Sequence, residues 1–199
     1  MATSDTRVPV VIVGLGALGS HAALALRNVT SPLRLVDFDR IEAKNVASQH
    51  HLKVSVGKNK AQALAQLLTG FFGRQGIVAI PHRLVRDNAQ ALLGDARLVL
   101  DCTDNQEARN TIQDLTGVLA IPCLHACISP DGSLARIVWS EHFQADPEGE
   151  AGGATCEDGA NLPFHAIVGA HVAREALTFL VTDTRRSLML TASSVVRIA

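Results

Sequence analysis

Apolar residues fall in short unbroken runs along this chain, and the runs predict strands at Val8–Val13, Leu33–Val36, Ile77–Ile80, Leu98–Leu100 and Val118–Leu124. Between them the spacing turns helical, over Ala17–Asn28, Lys60–Phe72, Asn88–Leu93 and Asn105–Leu115. Strands that are apolar at every position must be covered on both faces, and alternating helices supply that cover. The pattern therefore predicts a doubly wound, Rossmann-like α/β fold with a mostly parallel sheet. After residue 130 the rhythm changes. Leu134–Ser140 reads as a strand and residues 141–153 as a loop rich in Gly, Glu and Asp. Pro163–Leu180 reads as an apolar helix opened by proline, and Leu188–Thr191 and Val195–Ile198 as closing strands. The expectation is one domain over residues 1–199, its parallel sheet extended by antiparallel C-terminal strands.

Val8–Leu26 carries no formal charge, and a run of that length can read as a membrane span. Pro9 and the glycines at 14, 16 and 19 divide it instead into a β-branched strand, a turn and an Ala/Leu-rich helix. No membrane span and no signal peptide are expected, since Asp5 spoils a basic leader. Lys+Arg 18 against Asp+Glu 19 leaves a net charge of −1, which excludes an electrostatically driven nucleic-acid binder. The four cysteines, at 102, 123, 127 and 156, form no secreted disulfide framework, so reduced thiols and a cytoplasmic location are expected.

Gly14-Leu-Gly16-Ala-Leu-Gly19 follows the first strand and opens the first helix, the context in which a glycine fingerprint has a mechanism. The first glycine allows a tight turn, the second lets backbone approach a phosphate, and the third lets helix and strand pack closely. The helix N-terminus then presents free N–H groups to an anion. Asp37, followed by Asp39, ends the second strand where a carboxylate takes ribose hydroxyls. The motif indicates a nucleotide without saying which; an NAD-dependent oxidoreductase would use the same residues.

Further along come Asn45-Val-Ala-Ser48-Gln49, Gly57-Lys58-Asn59-Lys60, Asp101-Cys102-Thr103-Asp104-Asn105 and Thr155-Cys156-Glu157. With the glycine fingerprint and Asp37-Phe38-Asp39, these resemble the ThiF/MoeB/ubiquitin-activating E1 superfamily over residues 8–198. The resemblance implies ATP and Mg²⁺ as cofactors. It implies adenylation of the C-terminal carboxylate of a ubiquitin-like or sulfur-carrier β-grasp protein, with possible transfer to a cysteine. It assigns Asp37 to the ribose, with Asp39 beside it, Asn45 and Lys60 to the triphosphate, Asp104 to Mg²⁺, and Cys156 to the acyl-accepting thiol. It also implies a homodimer or an E1-like heterodimer. Carboxylate attack on phosphorus builds charge on phosphate oxygens, and fixed cations and N–H donors must meet it. The alternative role for Asp104 or Thr103 is to cap the helix behind them, and capping is compatible with metal binding at a strand's C-terminal end.

The chain departs from the family pattern in two ways. A phosphate-binding arginine is replaced by Ser48, and only Arg7 precedes the first strand. Arg40, Lys44 and Lys58 are the nearest replacements along the sequence, and a non-catalytic subunit relying on a partner is the alternative. The C-x-x-C pairs of zinc-binding relatives are also lacking, so no zinc is expected. Cys123, His125 and Cys127 alternate on one strand face, which sets the two thiols about 13 Å apart. Two thiolates on one zinc need sulfurs about 4 Å apart. Around Cys156 the acidic residues Glu141, Asp146, Glu148, Glu150 and Glu157 oppose thiolate formation. His165 and His171 are expected to serve packing rather than catalysis.

Overall fold

The computed structural model describes residues 8–143 and 159–198. Its eight strands are β1 (Val10–Val13), β2 (Leu33–Val36), β3 (Ile77–Ile80), β4 (Leu98–Asp101), β5 (Cys123–Ile128), β6 (Leu134–Trp139), β7 (Ser187–Thr191) and β8 (Val195–Ile198). They form one sheet in the order β3-β2-β1-β4-β5-β6-β7-β8. Pairing is parallel from β3 to β5 and antiparallel from β5 to β8. Among the described residues five α-helices cover it: α1 (Ala17–Ala25), α2 (Lys60–Phe72), α3 (Arg86–Leu93), α4 (Gln106–Val118) and α5 (Leu162–Thr182). This is the mixed, Rossmann-like sheet that the hydrophobic pattern predicts.

The two-sided burial of the strands is visible in β1. Val10 and Ile12 join a core with α1, α2 and α5, while Val11 and Val13 face the opposite core under α3 and α4. All four are buried, as a central parallel strand requires. Asn59 caps α2 by accepting the Gln62 N–H at 3.1 Å, and Gly73 ends it in the left-handed conformation at φ 64°. Helix α5 lies against α1 so closely that a side chain on Gly169 would meet the His21 Cβ at 2.5 Å. Among the described residues, α5 is long and apolar enough to cross a membrane by length and composition. One face of it (Phe164, Val168, Val172, Ala176, Phe179) nevertheless belongs to the core, with His165 buried on the same helix, while Ile167 and Val181 are exposed.

One predicted strand is misplaced. Val118 ends helix α4 with its side chain exposed, and β5 begins at Cys123 and runs on to Ile128. Neighbouring strands decide the boundary. Val99 N–H donates to the Pro122 carbonyl, and the β4 register pairs Val99 with Cys123. Apolar residues between Val118 and Ile121 therefore belong to the helix end and its turn, where Ala120 takes a positive φ of 53°.

Candidate active site at the strand C-termini

A cavity of about 540 Å³ opens along the C-terminal ends of the parallel strands. Open α/β sheets bind ligands there, outside the crossover point, which here lies between β1 and β4. Gly14, Gly16, Asp37, Asp39, Asn45, Lys60 and Asp104 all line it. The fold thus gathers on one surface nearly every site residue predicted from the sequence. Cys156 lies outside the described residues.

The glycines divide their duties in a measurable way. Gly14 has φ 82°, and a side chain there would meet the Cys102 carbonyl oxygen at 2.7 Å. A side chain on Gly19 would collide with the Gly14 carbonyl. At Gly16 the nearest protein atom is Gln49 Nε2, 3.8 Å away, so the space it leaves belongs to the cavity. A buried Gln49 amide oxygen without a partner faces the same region.

Leu15, between the first two glycines, is pinned from both sides. Its N–H donates to Asp37 Oδ2 at 2.6 Å, and its carbonyl lies 2.9 Å from His51 Nε2. Burial raises the Asp37 carboxyl above its ordinary range, against the pull of Lys60 and the Leu15 and Asp39 N–H groups. His51 is pushed down to about 4, chiefly by burial. With Nε2–H on Leu15, a second proton would sit on Nδ1, which is buried without a partner.

Lys60 opens α2 and is buried, with Nζ 3.1 Å from Asp39 Oδ2. Asn59 ties this corner to the end of β2, its Nδ2 donating to the carbonyls of Asp37 at 2.8 Å and Asp39 at 3.1 Å. Asn45 is buried, its amide oxygen accepting the Glu42 N–H at 2.9 Å. Neither Thr103 nor Asp104, the alternative caps read from the sequence, caps α4. Asn105 does, accepting the Ala108 N–H at 2.8 Å, which leaves the exposed Asp104 carboxylate on the cavity wall.

Behind Asp104 lies a buried brace that sequence reasoning missed. Asp101 Oδ1 accepts the Thr103 N–H at 3.0 Å and its hydroxyl at 2.6 Å, while Oδ2 accepts from His125 Nδ1 at 2.8 Å. Burial alone would push the Asp101 carboxyl up. The His125 hydrogen bond and the charges of His125 and Arg109 outweigh it, with the Thr103 hydroxyl, and hold it below the ordinary range. His125 Nε2 lies 3.3 Å from Ser140 Oγ, completing a Ser–His–Asp chain. The Ser140 hydroxyl donates to the Cys123 carbonyl at 3.2 Å, and Phe143 stacks on the ring at 3.9 Å. The Ser–His–Asp chain fixes the Asp101–Thr103 turn that carries Asp104.

The cations nearest in sequence are not those nearest in space. Arg40 donates to the Gly57 carbonyl and Lys44 pairs with Glu42 at 3.5 Å; with Lys58, they lie off the cavity. Arg83, Arg109 and Arg136 line it instead. Arg83 stacks over Phe38 at 4.2 Å, and Arg109 donates Nε to the Thr103 carbonyl at 3.0 Å. Cys102 and Cys123 are held protonated by burial. Among the described residues, no cluster of three or more His, Cys, Asp or Glu side chains could hold a metal alone. Mg²⁺ typically takes one or two carboxylates and completes its shell with substrate phosphates and water, and Asp104 fits that demand.

Comparison with known proteins matches residues 6–195 to the ThiF family. Molybdopterin-synthase adenylyltransferase of Escherichia coli (strain K12) is 30% identical over 189 residues, which is 90% of this chain and 74% of that protein. Adenylyltransferase and sulfurtransferase UBA4 of Meyerozyma guilliermondii is 28% identical over 176 residues, 84% of this chain but 42% of that protein. Among solved structures, E. coli MccB with ATP superimposes with a TM-score of 0.77 at 15% identity, over 97% of this chain and 64% of that one. The chain thus spans less than two thirds of that structure, and the likeness concerns the fold alone.

Proposed function

The chain belongs to the ThiF family, and on that premise we propose that it uses ATP to adenylate the C-terminal carboxylate of a ubiquitin-like or sulfur-carrier β-grasp protein. The observation that carries this reading is the shared cavity of Gly14, Gly16, Asp37, Asn45, Lys60 and Asp104 at the strand ends. The named adenylyltransferase relatives support it at about 30% identity.

In this reading Asp37 takes the ribose hydroxyls while Leu15 and Asp39 N–H groups hold its carboxylate in place. The glycine turn offers backbone donors to the phosphates, and Gly16 keeps the approach open. Lys60 and Asn45 meet the triphosphate, with Asp39 aiming Lys60 from behind. Asp104 would hold Mg²⁺, which when bound neutralises phosphate charge. The carrier's carboxylate oxygen bonds to the α-phosphorus as the bridging bond to the β-phosphate breaks. The electron pair leaves with pyrophosphate, and no proton needs to move. Preorganised donors stabilise the charge without rearranging at that moment.

Two finer elements belong to the same proposal. Cys156 serves as an acyl acceptor after adenylation, and the protein works as a dimer in the cytoplasm. Calorimetric titration with ATP–Mg²⁺ and with NAD, followed by pyrophosphate release with a β-grasp protein, tests the main reading. Binding of NAD in preference to ATP would make the chain an oxidoreductase. ATP binding without pyrophosphate release, in the presence of its carrier, would make it a non-catalytic subunit.

A further inference from the structure

A second cleft, of about 340 Å³, lies at the other end of the sheet, with Trp139, Glu141, Arg185, Arg186, Ser187 and Arg197 on its wall. Strand register sets its place. Trp139, the last residue of β6, pairs with Leu124 near the start of β5, whereas Ala135 pairs with Ile128 at the end of β5. Ile128 lines the strand-end cavity and Leu124 does not. At about 3.3 Å per residue, the two ends of this strand pair are about 13 Å apart. The cleft and the cavity share no lining residue.

The wall of the cleft is rich in donors and poor in acceptors. Arg186 is already engaged: its Nε donates to the buried Glu175 carboxylate at 3.0 Å and its Nη2 to Thr178 Oγ1 at 3.1 Å. Arg185 stacks over the Trp139 and Phe179 rings and pairs with Glu141, a half-exposed side chain that can turn into water. Arg197, exposed on the edge strand β8, has no ion-pair partner among the described residues. Ser187 is buried and its hydroxyl oxygen accepts the Trp139 backbone N–H at 3.3 Å, which leaves the hydroxyl proton without an acceptor among the described residues. The indole N–H of Trp139, a residue only 1% exposed, has no acceptor either. Buried donors are nearly always satisfied, so two unused ones beside two guanidiniums call for an acceptor with several oxygens. A carboxylate brings two, whereas a phosphoryl group brings three, and guanidinium forks match it.

We propose that this cleft is a phosphoryl-binding site, distinct from the strand-end cavity. Arg197 and Arg185 hold the oxyanion, Ser187 donates its hydroxyl, and Glu141 competes with the ligand for Arg185. The site stands whether or not the strand-end cavity turns over ATP.

Trp139 is the one tryptophan of the chain, so its fluorescence reports the cleft directly. The full chain is titrated at constant ionic strength with inorganic phosphate, glycerol phosphate and a hexaglutamate peptide, by fluorescence and by calorimetry. Phosphate or its ester should give a saturable change. Arg197→Gln should weaken binding about tenfold or more, the loss of a charge-assisted pair. Glu141→Gln should tighten it severalfold by releasing Arg185. Lys60→Ala, altered only in the strand-end cavity, should bind as wild type does. Tighter binding of the ester would identify a phosphorylated small molecule as the ligand, and the reverse order the free anion; either supports the site. Tighter binding of hexaglutamate would make the cleft a protein-docking surface and overturn the assignment. So would a signal matched by sodium chloride, one unmoved by Arg197→Gln, or no response to phosphate or its ester by either method.

Discussion

Lys60 Nζ lies 3.1 Å from Asp39 Oδ2, on the wall of the cavity at the strand ends. The lysine is buried and the aspartate half-exposed, so the pair is asymmetric: Asp39 can turn toward water, whereas Lys60 has little room to go elsewhere. In the proposed reading, a triphosphate entering the cavity would meet a lysine already held in place.

Lys60→Ala should therefore lower ATP affinity and reduce pyrophosphate exchange by about 100-fold or more, the usual cost of removing one preorganised electrostatic donor. Asp104→Ala should bind ATP with smaller loss but lose the Mg²⁺ dependence of exchange. Titration and exchange across a Mg²⁺ series check both, and unchanged exchange in the two variants would mean that the site lies elsewhere.

The three glycines should respond differently to alanine. Gly14→Ala and Gly19→Ala should fail to fold or melt far below wild type, because the added methyl meets backbone atoms. Gly16→Ala should melt near wild type, since no protein atom comes closer than 3.8 Å, yet bind ATP weakly. Thermal unfolding paired with ATP titration separates the outcomes.

Stability should fall with acid through the histidine at the glycine turn. The folded pKa of His51, about 4, lies below the ordinary 6.5. As pH drops below 6.5 the unfolded chain takes up a proton that the folded chain refuses, so stability declines until the folded ring also titrates near 4. The full effect is about 3 kcal/mol. His51→Gln, which keeps an N–H for the Leu15 carbonyl, should flatten the slope of denaturant stability against pH between these limits. An unchanged slope would contradict the assignment.

The Asp101–His125 brace should be structural. His125→Leu strips the buried carboxylate of its ring partner and should cost about 3 kcal/mol or more in urea unfolding. Ser140→Ala removes a single neutral hydrogen bond and should cost about 1 kcal/mol. Ester hydrolysis by the wild-type protein that vanishes in Ser140→Ala would instead mark the chain as a working nucleophile.

Cys156→Ala should still form adenylate from ATP and the carrier while losing any thioester or reducible adduct. Mass spectrometry of the reaction mixture reads both, and an adduct that persists would rule out this thiol as the acceptor.

Local features of the site were open to reading from the sequence. Unbroken apolar runs identify doubly buried strands because each residue in such a strand faces one core or the other, as Val10 to Val13 do. The glycine fingerprint, Asp37 at a strand end and Lys60 at a helix start follow from short-range geometry: a turn, a strand terminus, a first helical turn. The end of α4 was not readable, because Val118–Ile121 is as apolar as a strand and only the β4 register shows where pairing starts. Nor were the partners that tune the site. His51 reaches Leu15 across 36 residues, His125 reaches Asp101 across 24, and Arg136 comes to the cavity from a strand with no motif of its own. Local sequence fixes which way a chain segment turns and which face it buries. Which side chains then share one low-dielectric space is decided by strand order and register, and those are properties of the assembled sheet.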